Sequence, residues 1–200
     1  MTEQKEQTLS FRTLRADEIE CRVGTSKANG CSLLLYKDAR VDQRLLDETV
    51  GPYNWQRHHS RDNANCVLSI WDETKKQWIE KEDVGTESNT EAEKGIASDS
   101  FKRAGFNWGI GRELYTAPFI WIPSSKYENV ERNGKFYPDA YFKVTEIHYD
   151  KQRNIDGLKI MNTKTGDIVF SFLTEELAEK VKKAAENKKN QIIENLKKQG

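Results

Sequence analysis

The residues best suited to chemistry in this 200-residue chain are cations set beside aromatics and glycines. They are Tyr53, Trp55 and Arg57, then Lys75 and Lys76 within "DETKKQ", then Lys94, Lys102, Arg103 and Arg112 along "EKGIASDSFKRAGFNWGIGREL". Ammonium and guanidinium groups mixed with flat rings and bare backbone are the composition of a groove for a single polynucleotide strand, where cations hold phosphates and flat surfaces take bases. A plainer reading competes. Asp99 and Arg103 stand at i, i+4 and can pair on a helix surface, and Trp108 suits an ordinary core.

A second set is acidic. Glu80, Glu82 and Asp83, with His58 or His59, are the residue types of a metal-dependent nuclease. Adjacent residues of a strand point to opposite faces, however, so His58 and His59 cannot both grip one ion, and His148 stands alone in the sequence. No GxxxxGK[ST] run is present for nucleotide hydrolysis. "KTG" at Lys164 to Gly166 has no accompanying SxxK and is explained by turn chemistry. No cofactor is expected.

Charge limits the partners. The 32 basic and 32 acidic residues cancel, so any anion site must be local rather than a property of the whole molecule. Cys21, Cys31 and Cys66 are odd in number and lack CxxC spacing, which suits reduced thiols. No run approaches the ~20 apolar residues of a membrane span and the start lacks an apolar signal region, so a soluble, cytoplasmic protein without a membrane partner is expected.

The elements that must position these side chains follow from periodicity and turn residues. Residues 1–10 are polar and expected to be disordered. "FRTLRADEIE" suggests a short helix or extended entry, and "CRVGTSKANG" a turn-rich loop. "CSLLLYKDARVDQRLLDETVG" places Leu35, Ala39, Leu45, Leu46 and Val50 at helical spacing and stops at Gly51 and Pro52. "NWQRHHS", "NCVLSIWDE" and "QWIEKEDVG" are expected strands, the last two joined as a hairpin at "DETKKQ".

The basic stretch then reads as a helix capped near Ser88, Asn89 and Thr90, with Ile96, Ala97, Phe101, Ala104 and Trp108 on its buried arc. Beyond it, "YFKVTEIHYD", "GLKIMNT" and "DIVFSF" form a meander with a turn at "NTKTGD". A charged helix capped by Thr174 fills residues 174–200. The fold class is α+β, a single domain over residues 11–173 built as a β-β-β-α core with an additional C-terminal β meander.

The order of motifs, "DEIECRVG", "YKDARV" with "VGPYNW", "EDVG", then "EAEKGIASDSFKRAGFNWGIGREL", resembles the annealing domain of the Rad-fifty-two family of recombination proteins, particularly the short phage proteins of the Sak type. The resemblance covers roughly residues 11 to 115. It implies a β-β-β-α core that assembles into a ring or helical filament and holds single-stranded DNA in an outer groove for annealing in homologous recombination and DNA repair, without ATP or metal. On this likeness Arg40 and the Lys102–Arg103 pair correspond to phosphate contacts on the groove floor, Lys75 or Lys76 to an outer DNA-contacting lysine, and Tyr53 to an aromatic near the groove.

The segment "TESNTEAE" is acidic and polar where the family is basic, which departs from its second, outer site. Arg112 rests on position and charge alone. The partners implied are single-stranded DNA and further copies of the chain, with a single-strand binding protein or recombinase as an additional candidate, in the host bacterial cytoplasm for a bacteriophage protein.

Overall fold

In the computed structural model, the described residues are 9–86 and 92–198, with the backbone alone described for 92–94, 193–194 and 196–198. Most of the expected disordered start, and the expected cap at Ser88, Asn89 and Thr90, lie outside them. In chain order the strands and helices are β1 (Glu20–Lys27), β2 (Gly30–Tyr36), α1 (Ala39–Val50), β3 (Trp55–Ser60), β4 (Asn65–Asp72), β5 (Gln77–Val84) and α2 (Ala92–Asn107). There follow β6 (Ile120–Pro123), β7 (Glu128–Arg132), β8 (Lys135–Asp139), β9 (Phe142–Tyr149), β10 (Ile155–Asn162), β11 (Ile168–Leu173) and α3 (Glu175–Lys198). The class is α+β.

Two compact units share these elements. One combines the chain up to Glu20 with Tyr36–Tyr115, and the other Cys21–Leu35 with Thr116 onward.

The first unit is a three-stranded antiparallel sheet, β3-β4-β5, covered on one face by α2. Register explains the covered face: Cys66, Leu68 and Ile70 of the central strand pair with Asp83, Lys81 and Ile79 on one side and with His59, Arg57 and Trp55 on the other. All nine residues therefore point to the same side. Phe101 and Ala104 of α2 bury themselves there, and Leu45 and Leu46 of α1 join the core. Each large apolar side chain so enclosed stabilises the unit by about 1.5–3 kcal/mol. The expected β-β-β-α order, the hairpin at "DETKKQ" and the arc through Phe101 and Ala104 are all present.

The second unit is a six-stranded sheet of order β11-β10-β9-β1-β2-β6, with β7-β8 as a separate two-stranded sheet. The expected meander, β9 to β11, is thus half of a larger sheet. Thr174 caps α3, its Oγ1 accepting the Leu177 N–H at 3.4 Å.

Two expectations are corrected here. "CRVGTSKANG" is not a turn-rich loop but strand β1 with a tight turn to β2, and "CSLLLY" is strand rather than the start of a helix. Gly24 marks close packing within the sheet: a Cβ there would lie 3.1 Å from Ser32 Oγ and 3.2 Å from Leu34 Cγ. The run Cys31–Leu33 is buried, and a short, mainly apolar segment fits a buried strand as well as a helix. Helix α1 starts only at Ala39, capped by Asp38, whose carboxylate accepts the Arg40 N–H.

Candidate nucleic-acid interface

The first unit contains an ion pair where none was expected. Lys37 Nζ reaches both carboxylate oxygens of Asp42 at 2.5 Å, and both side chains are buried. Space for the pair comes from glycines of the basic segment. A Cβ on Gly105 would stand 2.6 Å from Asp42 Oδ1, and one on Gly111 would stand 3.0 Å from Lys37 Cδ. Burial pushes the Asp42 carboxyl up to about 6 against the pull of Lys37, and it pulls the Lys37 ammonium below its ordinary value. Gly105 thus lets α2 approach the start of α1, where the buried ion pair sits.

The carboxylate that caps α1, Asp38, is surrounded by positive charge. Asp38 accepts from the Arg40 backbone at 2.7 Å and from Arg40 Nε at 2.9 Å. The Asp38 carboxyl is held below its usual range, chiefly by the hydrogen bond from the Arg40 side chain and also by the nearby positive charge of Lys102. The charge of Lys102, 62 residues after Arg40 in sequence, is thus felt at the carboxylate that Arg40 binds at the N-terminus of α1. The Arg40 side chain is 79% exposed, and among the described residues no ion pair engages Lys102.

The far end of α2 is built by glycine and cations together. Gly109, at φ 101°, donates to Phe106 O, and Ile110 donates to Gly105 O, the paired bonds that close a helix through a left-handed residue. Side chains add further bonds to the last carbonyls. Lys81 Nζ and Arg112 Nη2 donate to Asn107 O at 2.8 and 2.9 Å, and Arg112 Nε donates to Phe106 O at 2.8 Å. Cations at a helix C-terminus complement its negative dipole end. Lys81 lies over the Trp108 ring and Arg112 over the Phe106 ring, with Phe106 in edge contact with Tyr115.

The other expected cations are distributed as follows. Arg103 turns away from Lys102 toward β5, where its Nε donates to Asp83 at 3.1 Å. Arg57 lies over Phe101 on the α2 side of the sheet. Lys75 and Lys76 occupy the β4-β5 hairpin tip and pair with Asp72 and Glu73. Tyr53, 92% exposed, follows α1 in the turn before β3. The Lys94 side chain lies outside the described residues. The charge of Lys102 thus acts at the carboxylate that holds Arg40, Arg103 faces β5 instead, and the tip lysines stand on the loop between β4 and β5.

Three residues escaped sequence reasoning. Lys81 is hidden in the acidic run "EKED", although its i, i+2 relation to Asp83 was a signal that both face α2. Arg44, exposed one helical turn after Arg40, was legible from i, i+4 spacing. Tyr115, beyond the end of α2, carried no periodic signal at all.

The acidic set does not assemble. Glu80 accepts from Ser69 Oγ at 3.2 Å and Glu82 from Asn65 Nδ2 at 3.3 Å on the uncovered face of the sheet, whereas Asp83 lies on the α2 side with Arg103 and Asn107. His59 approaches Ser100 Oγ at 3.4 Å, and His58 alternates to the other face. Among the described residues no group of three or more His, Cys, Asp or Glu is placed to hold a metal ion. Cys31 and Cys66 are buried thiols, and burial pushes Cys66 up to about 11 and Cys21 to about 12. Among the described residues no helix is long and apolar enough to cross a membrane.

Against known proteins, the chain is similar to the single-stranded DNA-binding protein DdrA of Deinococcus radiodurans, with 31% identity over 109 residues. The similarity spans 54% of this chain and 50% of DdrA, so the chain matches about half the length of that relative. No family profile matches the sequence, and no solved structure matches it.

Proposed function

We propose that this protein binds single-stranded DNA and anneals complementary strands without ATP, as a homo-oligomeric ring or filament serving recombination and repair. The observation that carries the reading is the similarity to a single-stranded DNA-binding protein over 109 residues. It agrees with the motif order that resembles the Rad-fifty-two family and with a β-β-β-α unit bearing exposed cations on α1 and α2.

In this mechanism phosphates are held by Arg40 and Lys102 on one flank of α2, with Arg103, Arg57 and the hairpin-tip Lys75 and Lys76 as further contacts. Most of these cations already have carboxylate partners. Exposed ion pairs contribute little in water, so a phosphate can replace Asp38 or Asp83 at small cost. Each protomer then offers only a few phosphate contacts. Repetition of the site around an assembly converts weak local binding into strong overall binding, which suits a chain of zero formal charge.

The test combines three measurements on the full chain: anisotropy of a labelled oligo-deoxythymidylate across a salt series, annealing of complementary strands without nucleotide, and particle mass by light scattering. Binding that weakens log-linearly with salt, ATP-free annealing and a mass of many protomers are expected. A monomer that fails to shift the oligonucleotide at low salt would refute the reading.

A further inference from the structure

The end of α2 presents an aromatic surface that phosphate binding leaves unused. Tyr115 is 79% exposed, an unusual state for a large ring, so most of its surface is open to solvent. It is nevertheless not loose. Its ring contacts Phe106 edge to face, with centroids 4.9 Å apart and planes at 62°. Phe106 is half-buried, and Arg112 lies over it at 5.4 Å. Arg112 is fixed in turn by its two bonds to the carbonyls of Phe106 and Asn107. Those bonds use two of the five N–H donors of the guanidinium and leave the others for a ligand.

A rigid exposed ring beside a partly unsatisfied guanidinium is the pairing that an unstacked nucleobase and its phosphate require. We propose that Tyr115, propped by Phe106, is a stacking subsite for one unpaired nucleobase, with Arg112 taking the adjoining phosphate. The inference rests on the proposed single-strand binding and adds a base contact at the end of α2 to its phosphate contacts. Stacking tolerates any base, so the subsite adds affinity without sequence preference. Phe106 is a positioning residue here, since its ring holds Tyr115 and Arg112 apart at a fixed spacing.

The experiment compares wild type, Tyr115→Ala, Tyr115→Leu and Tyr115→Phe on two strands of equal length and charge, oligo-deoxythymidylate and an abasic oligonucleotide with the same phosphate spacing. On the base-bearing strand, Tyr115→Ala and Tyr115→Leu should bind about five- to a hundredfold more weakly, and Tyr115→Phe should bind as wild type does. On the abasic strand all four should bind alike. Equal losses on both strands would overturn the proposal, because Tyr115 would then act through the fold or through phosphates. Unchanged affinity of Tyr115→Ala for the base-bearing strand would overturn it as well. Tyr115→Leu keeps apolar bulk against Phe106, so it reads stacking even where the alanine variant misfolds. Failure of the wild type to bind either strand at low salt refutes the underlying function, a result distinguishable from both others.

Discussion

Replacing Lys37 by methionine should be among the most damaging single changes to the first unit, and acid should partly repair it. The substitution leaves Asp42, which is fully buried, without the cation it pairs with. Removing one member of a buried pair costs about 3–5 kcal/mol, because the remaining charge is neither solvated nor compensated. That is a large fraction of the ~5–15 kcal/mol that holds a typical domain folded.

The pH dependence has a defined sign. In the wild type the folded-state Asp42 carboxyl is already raised from 3.8 to about 6, so the folded chain retains a proton that the unfolded chain releases. The contribution of Asp42 to stability therefore falls as pH rises through that window. Without Lys37 the folded value moves higher still, and the window extends upward. Urea unfolding followed by tryptophan fluorescence at pH 7.5 and pH 5.0 should show the deficit of Lys37→Met shrinking at the lower pH. The double variant Lys37→Met with Asp42→Leu should recover most of the loss at both. A deficit below ~1 kcal/mol, or a double variant no better than the single one, would refute the assignment of Asp42 as a buried charge held by Lys37 at the start of α1.

Gly105→Ala should destabilise by about 2 kcal/mol or more in the same assay, since the added methyl meets Asp42 Oδ1 and the close approach of backbone cannot relax without moving the ion pair. Glu18 is buried, and Arg12 together with its other bonds holds its carboxyl down to about 2; its stabilisation is complete above about 4.5 and should be lost as pH falls toward 2, a loss that Glu18→Gln removes from the acid-unfolding profile. Lys102→Ala should weaken oligo-deoxythymidylate binding and lower the salt slope by about 0.7 for each phosphate no longer neutralised while leaving unfolding midpoints unchanged, whereas an unaltered slope would exclude Lys102 from the phosphates. Arg40→Ala should behave likewise, and a variant that unfolds instead would mark Arg40 as a structural partner of Asp38.

Much of the first unit was legible because its signals are local. Alternation along "NCVLSIWDE" and "QWIEKEDVG", turn residues at "DETKKQ", and the arc from Phe101 to Ala104 require nothing beyond period and punctuation. β1 was missed because Gly24 resembles a turn residue until Ser32 and Leu34 are seen packed against it. "CSLLLY" was misassigned because a short buried strand and a buried helix share the same apolar run.

By itself, the sequence determined which residue types could meet a phosphate, that charge cancels over the whole chain, and that α2 would bury one face and expose cations on another. Only the tertiary structure decided which cations are neighbours. Lys102 and Arg103 are adjacent in the chain yet leave α2 some ~100° apart, so the charge of one acts at Asp38 and the other pairs with Asp83. Likewise Gly105 and Gly111 gain their meaning only against Lys37 and Asp42, because the space a missing side chain leaves is defined by what another segment puts into it.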